Sequence, residues 1–463
     1  MKFIFVFINL ILFSFTVYAK KDNYTVKVDH INKTLHVETC FKKAPDYLHT
    51  ISDNAEKIIK NIKWQKSPIR KYNGYINLPN NKSGCLSYSV DGSKLTGRLN
   101  NKKINQQHPK DTILEISDFL WKRNDYDQST EIIITFIHDN GINVSAPWSL
   151  ISRHDQKTTY HIPYTPVTWV GYIGFGEFDV LQLNTSNSKI NLAIINGNNT
   201  YNQSSLVDWI KQMTAAVAEI SNGFPINEMQ VMVYLLKGTS GAVPWGQVNR
   251  YGGPGVFFVV NPDRSHQELI NDWTAAHEFS HFLLPYTPDD RWLAEGFASY
   301  HQNISRARVG LLDEKSTWEK LLAGFKRGKK TANKNYAPKL KYAKGRNRMQ
   351  MYWGGAVIAL KADVALQKVT NGRHTLSSAL AQLSYCCLTT SSEWTASETF
   401  SRLDKITNTD VFSNLYEQVV KKSSYPNYQE LLKDLGIIQK YDGQIILDDA
   451  AINAPIRKKI ING

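Results

Sequence analysis

Two histidines four residues apart, with a glutamate beside the first, are the residues of this sequence best suited to chemistry. His277, Glu278 and His281 form an H-E-x-x-H pattern inside TAAHEFSHFLLPYTPDDRWLAEGFASY, residues 274–300. On a helix, positions i and i+4 share one face, so both imidazoles can meet a single cation. A carboxylate next to the first histidine is placed to act on whatever that cation holds. Glu295, farther along the same stretch, is the candidate third ligand. Three protein ligands, one position left for water and a base beside it are the requirements of a catalytic zinc ion. One Zn2+ per chain is therefore expected, with His277, His281 and Glu295 as ligands and Glu278 as the base.

The flanking residues predict the elements that bring these groups together. Ala275 to Leu284 is apolar enough for a core helix, which Pro285 ends. Thr287 to Asp290 reads as a turn, and Asp290 is a candidate N-cap for a helix from Arg291. A tight helix–turn–helix carries Glu295 back toward the end of the histidine helix.

At these residues the chain resembles the gluzincin metallopeptidases, in which a second glutamate completes the zinc ligands. RWLAEGFASY is similar to the W-L-x-E-G-F-A-x-Y phrase of aminopeptidases in that group. The interval of 13 residues between His281 and Glu295 is shorter than is usual there. Tyr352, followed by Gly355 and Ala356, resembles the gluzincin Tyr-x-x-Gly-Ala phrase, which implies that its hydroxyl stabilises the transition state. From Ile190 to about Ile437 the chain is similar to the glycyl-aminopeptidase-like members, many of which end in a PDZ domain. Only about 26 residues follow Ile437, too few for such a domain. The resemblance also implies that the glycine-containing strand before the zinc helix runs along the cleft. Gly246 to Val256 stands in that place, and Gly252 and Gly253 would let a substrate backbone approach closely. The plain alternative for these two glycines is a turn joining two strands. Larger gluzincin aminopeptidases carry a glutamate in this strand for the substrate amine. Here Gln247, Asn249 and Arg250 stand instead, so aminopeptidase and endopeptidase both remain open.

The wider pattern predicts an α+β multidomain chain. Residues 1–19 read as a secretory signal: Lys2, an apolar run from Phe3 to Phe15, then Val17-Tyr18-Ala19 as a cleavage site. No stretch is long enough to span a bilayer, so a secreted or periplasmic protein without a transmembrane anchor is expected. Residues 20–185 alternate at period two, as in Tyr24 to Asp29 and Thr34 to Thr39, and predict a β-sandwich-like domain. Ala55 to Ile62 reads as a short helix. Residues 186–325 alternate strand and helix and suit a thermolysin-like α/β subdomain carrying the zinc motif. Ser204 or Ser205 is expected to cap its first helix. Residues 326–463 read as a helical subdomain.

Net charge is +14, yet no nucleic-acid-binding signature accompanies it, so none is expected as partner. Ten Lys or Arg and no acid fall between Lys326 and Arg348. They read as a solvated loop or, alternatively, a basic rim near the cleft. Of 4 cysteines, Cys40 and Cys85 are candidates for a disulfide in an oxidising compartment, and the adjacent Cys386 and Cys387 read as two thiols. The expected partner is a peptide or protein substrate, with oligomeric state open. The rival reading from another class is a secreted binding protein whose zinc site is structural or vestigial. A basic surface-adhesion module is the second rival.

Overall fold

The computed structural model describes residues 21–50, 52–94, 98–99, 102–103, 108, 110–125, 130–163, 169–197, 199–333, 337–388, 393–440 and 444–463. The expected signal, Met1 to Ala19, lies outside these residues.

Strict alternation of buried and exposed side chains in Lys21–Asp29 and Thr34–Phe41 makes one face apolar. These strands pair antiparallel, and the first also pairs parallel with Glu131–Ile137, inside an eight-stranded sheet. Cys40 and Cys85 face each other across adjacent strands of that sheet and are disulfide-bonded. The helix expected over Ala55–Ile62 stops at Ile58, and Ile59–Trp64 joins the sheet, with Ile59 opposite Val90. Cross-strand packing of β-branched residues outweighs the local helical spacing there.

A second, mixed sheet positions the candidate site. Its strands are β1 (Asp179–Thr185), β2 (Ser188–Ile195), β3 (Glu228–Leu235), β4 (Trp245–Asn249) and β5 (Gly255–Val260), in spatial order β1-β2-β3-β5-β4. β1 hairpins onto β2, so the change of sheet falls before Asp179 rather than near residue 185. Both faces of β3 are covered. Met229, Val231, Val233 and Leu235 pack on the helical side, and Met232, Tyr234 and Leu236 pack toward Ile113 and Phe178. Double-sided burial accounts for the continuous apolar run of this strand.

The helices that build this half include α1 (Gln203–Ser221), α2 (Thr274–Ser280), α3 (Arg291–Arg308), α4 (Glu314–Ala332) and α5 (Arg348–Val369), followed by shorter ones to Asn462. Asn202, not a serine, caps α1: its Oδ1 accepts the Ser205 N–H at 3.1 Å. The regions expected as separate subdomains at 186–325 and 326–463 share one hydrophobic core, running from Trp209 and Phe258 through Trp292 and Trp318 to Phe400. The basic stretch from Lys326 is not simply a loop. Its first residues finish α4, whose buried face continues through Phe325, Gly328 and Ala332, and Arg348 begins α5. Cys386 and Cys387, expected as thiols, are bonded to each other. Among the described residues, no helix is long and apolar enough to cross a membrane.

Candidate metal centre

α2 is shorter than the sequence suggests. It carries His277 and Glu278 and then tightens into a 3-10 turn, His281–Leu283, before Pro285. His281 therefore sits at the junction, and its ring still packs edge-on against that of His277, centroids 4.9 Å apart. Asp290 stands at the start of α3 but does not cap it. Its Oδ1 accepts from Trp292 Nε1 at 3.1 Å and its Oδ2 from the Ala396 N–H at 2.7 Å, tying the turn to a later helix. The turn so fixed brings Glu295 back: its Oε2 lies 3.3 Å from His277 Nε2 and 3.7 Å from His281 Nε2.

Ligand atoms of His277, Glu278 and His281 also lie within 4.8 Å of one another. His277 Nδ1 is 2.8 Å from Gln302 Oε1, an acceptor, so Nδ1 carries a proton and Nε2 faces the Glu295 carboxylate. Without a metal a proton on Nε2 bridges this pair, and a divalent cation bound by both groups would take that proton's place. Buried nitrogen and oxygen donors with a fixed tautomer suit zinc, and Gln302 orients the first histidine as an outer-shell partner does.

Electrostatics follow from burial and from these neighbours. Burial pushes Glu278 up to about 7, although the nearby His277 lowers it. Burial pushes His281 down to about 3, against the pull of Glu295. Burial alone would raise Glu295, but its bond to His277 and the two imidazoles hold it at about 2. Tyr352 is driven well above its ordinary value by burial and by the Glu295 carboxylate, to which its hydroxyl is hydrogen-bonded.

Two glycine contacts set the approach of these groups. A Cβ on Gly246 in β4 would lie 2.7 Å from Glu278 Cγ, so that strand passes directly over the base. The Val248 N–H donates to Glu278 Oε2 at 3.0 Å. A Cβ on Gly355 would lie 2.0 Å from Trp292 O, and one on Gly296 2.3 Å from Gly355 Cα. α3 and α5 therefore cross at backbone contact, which sets Tyr352 beside Glu295 and stacks its ring parallel to that of His277.

Gly252 and Gly253 are placed elsewhere. The Gly252 N–H donates to Val170 O at 2.8 Å, and Gly252 O accepts from Trp148 Nε1 at 2.6 Å. Gly253, at φ +123°, would bring a Cβ to 2.3 Å from Pro147 O. Both pack the turn after β4 against the N-terminal region, and neither lines the cavity holding His277 and Glu278. They belong to packing, and the close-approach glycine at the base is Gly246. Sequence reasoning missed Gln302. A signal exists, since Glu295, Ser299 and Gln302 follow the i, i+4, i+7 spacing of one helix face.

The fold is similar to that of several solved structures. The chain is similar to an aminopeptidase N family protein from Idiomarina loihiensis, at TM-score 0.69 and 15% identity over 90% of this chain and 78% of that one. It is similar to the M1 zinc metallopeptidase of Deinococcus radiodurans, at TM-score 0.54 and 11% identity over 88% and 94%. Native yeast LTA4 hydrolase aligns at TM-score 0.57 and 12% identity over 90% and 70%. No protein-family model matches the chain, and no curated protein does. At these identities the likeness is one of fold.

Proposed function

We propose that the chain is a zinc-dependent peptidase that hydrolyses peptide bonds with water. The observation that carries this reading is the approach of one Glu295 oxygen to the Nε2 atoms of both His277 and His281, at 3.3 and 3.7 Å. In this reading those three residues hold one zinc ion. The ion supplies Lewis acidity, which brings the deprotonation of water into the neutral range. Glu278 takes the proton and delivers it to the leaving amine. Burial raises this carboxyl in the metal-free protein, and a bound cation would draw it back toward the ionised form that accepts a proton. Tyr352 stays protonated and donates to the carbonyl oxygen as negative charge gathers there. The open edge of β4 accepts an extended peptide as an added strand.

One structural neighbour, the Deinococcus radiodurans M1 zinc metallopeptidase, has been solved as a mutant bound to a Tyr-Ser-Ala substrate. A short peptide is the natural first substrate to try here. β4 presents no carboxylate for a free amine, and Gln247 Nε2 donates to Asn249 Oδ1 at 3.2 Å instead. The mode of attack is read from products. A mixed peptide library is incubated with the protein, with and without chelator, and analysed by mass spectrometry. Chelator-sensitive cleavage is expected. Trimming from the amino end defines an exopeptidase, and internal cuts define an endopeptidase. Bound zinc with no cleavage of any peptide sinks the reading in favour of a structural zinc site. Export completes the proposal: the Met1 to Ala19 signal expectation and the Cys40–Cys85 bridge both suit an oxidising compartment.

A further inference from the structure

The cavity that holds His277, Glu278 and Tyr352 has a volume of about 770 Å³ and extends well past the candidate metal centre. The charged residues of its lining are mostly basic. Arg306 of α3, Lys320 and Arg327 of α4, and Arg348 of α5 all line it. The acids lining it are Asp272 and Glu278, and both are engaged. Asp272 accepts the N–H groups of Thr274 and Val243, and Glu278 accepts that of Val248. Among the described residues, none of the four cations forms an ion pair, although Asp272 lies near enough to Arg306 to favour its charge against burial. Arg327 is held instead over the Trp353 ring, 5.0 Å from its centroid.

Two buried donors here also lack partners. Asn303 is 2% exposed and Arg306 1% exposed. Asn303 Nδ2 and Arg306 Nε have no hydrogen-bond acceptor, although Arg306 Nη2 donates to the carbonyls of Ile270 and Asn271. The two residues are three apart on α3 and so share a face. Arg306 is one helical turn, about 5.4 Å, beyond Gln302, which holds His277. Two extended residues of peptide cover that span at about 3.3 Å each.

We propose that this end of the cleft is a carboxylate subsite. The protein then selects peptides carrying a carboxylate, whether an acidic side chain or the free carboxy terminus, two to three residues from the bond at the metal centre. The exposed Arg327 and Arg348 supply the charge that meets the carboxylate, and the buried Arg306 adds positive potential behind them. The scissile bond in this statement rests on the peptidase reading, whereas the binding preference does not.

The test is therefore a binding measurement. Full-length Glu278→Gln protein is titrated calorimetrically with matched peptides, Glu against Gln at successive positions and free against amidated carboxy termini. At least tenfold tighter binding of one carboxylate member is expected, weakening with salt and falling to less than threefold in Arg327→Gln/Arg348→Gln. A Glu–Gln difference assigns the subsite to a side chain, and an acid–amide difference at the terminus assigns it to the chain end. Equal affinity within every pair overturns the proposal, even if the wild type cleaves them all. A preference that survives in both the double variant and Arg306→Met also overturns it. If Arg306→Met fails to fold, the double variant, whose two arginines are exposed, decides alone.

Discussion

The two ends of the cleft are built on opposite principles. At the metal end each polar group has a counterpart. Gln302 holds His277, the Val248 N–H holds Glu278, and Glu295 faces both imidazoles and Tyr352. At the basic end, Asn303 and Arg306 carry buried donors with none. The first arrangement is a preorganised set, which gains by not rearranging when charge develops. The second gathers four cations that form no ion pair among the described residues. A single helix, α3, carries both, with Glu295 near its start and Arg306 near its end. The contrast teaches that one scaffold element can hold a finished constellation and an unfinished one a few turns apart.

Breaking the finished end should have the largest effects. In the peptidase reading, Glu278→Gln removes the base and none of the three ligands. A loss of 1,000-fold or more in kcat is expected, on the order of general-base removal, with zinc content by elemental analysis unchanged. Tyr352→Phe removes one oxyanion donor, and kcat should fall about 100-fold, roughly 3 kcal/mol, with KM little altered. Gln302→Leu leaves the ligands but frees the His277 ring. Zinc affinity, measured by chelator competition, should drop about 10-fold to 100-fold. If Gln302→Leu leaves zinc affinity intact, the preorganisation of this end is overstated.

The smallest expected effect is on stability against pH. Glu278 has its folded-state pKa raised from the ordinary 4.5 to about 7. A raised carboxyl favours the fold where it is protonated, and that contribution is lost as pH rises through about 7. His281, lowered to about 3, is already neutral in folded and unfolded chains above its ordinary 6.5. Glu295, lowered to about 2, contributes at neutral pH and loses its effect only in strong acid. Between pH 6.5 and 8 the metal-free protein should therefore lose stability relative to Glu278→Gln, by less than about 1.4 kcal/mol per pH unit. Denaturant midpoints at both ends of that range check the sign.

The convergence of His277, His281 and Glu295 could be read in the chain, because these groups are close in sequence. His277 and His281 meet through helical periodicity, and Glu295 follows after one turn. The reading failed where a partner comes from far away. Ala55 to Ile62 has helical spacing, yet Ile59 pairs with Val90. Gly252 and Gly253 stand in the cleft-lining position of the resemblance, yet they pack on Trp148, Val170 and Pro147. Gly355 was notable only as part of a phrase, and its reason is the backbone of Trp292 at the helix crossing. The basic stretch after Lys326 had two readings. Arg327 and Arg348 reach the cleft because the core formed by α4 and α5 turns them toward it.

By itself the sequence determined which side chains can bind a cation and which carboxylate stands beside them, since helix geometry fixes neighbours four residues apart. Only the tertiary structure decided that Tyr352 stands against Glu295, that Gly246 passes over Glu278, and that four cations from three helices share one cavity wall. Those relations depend on how close two backbones can come and on which faces the common core hides. Local periodicity carries no information about either.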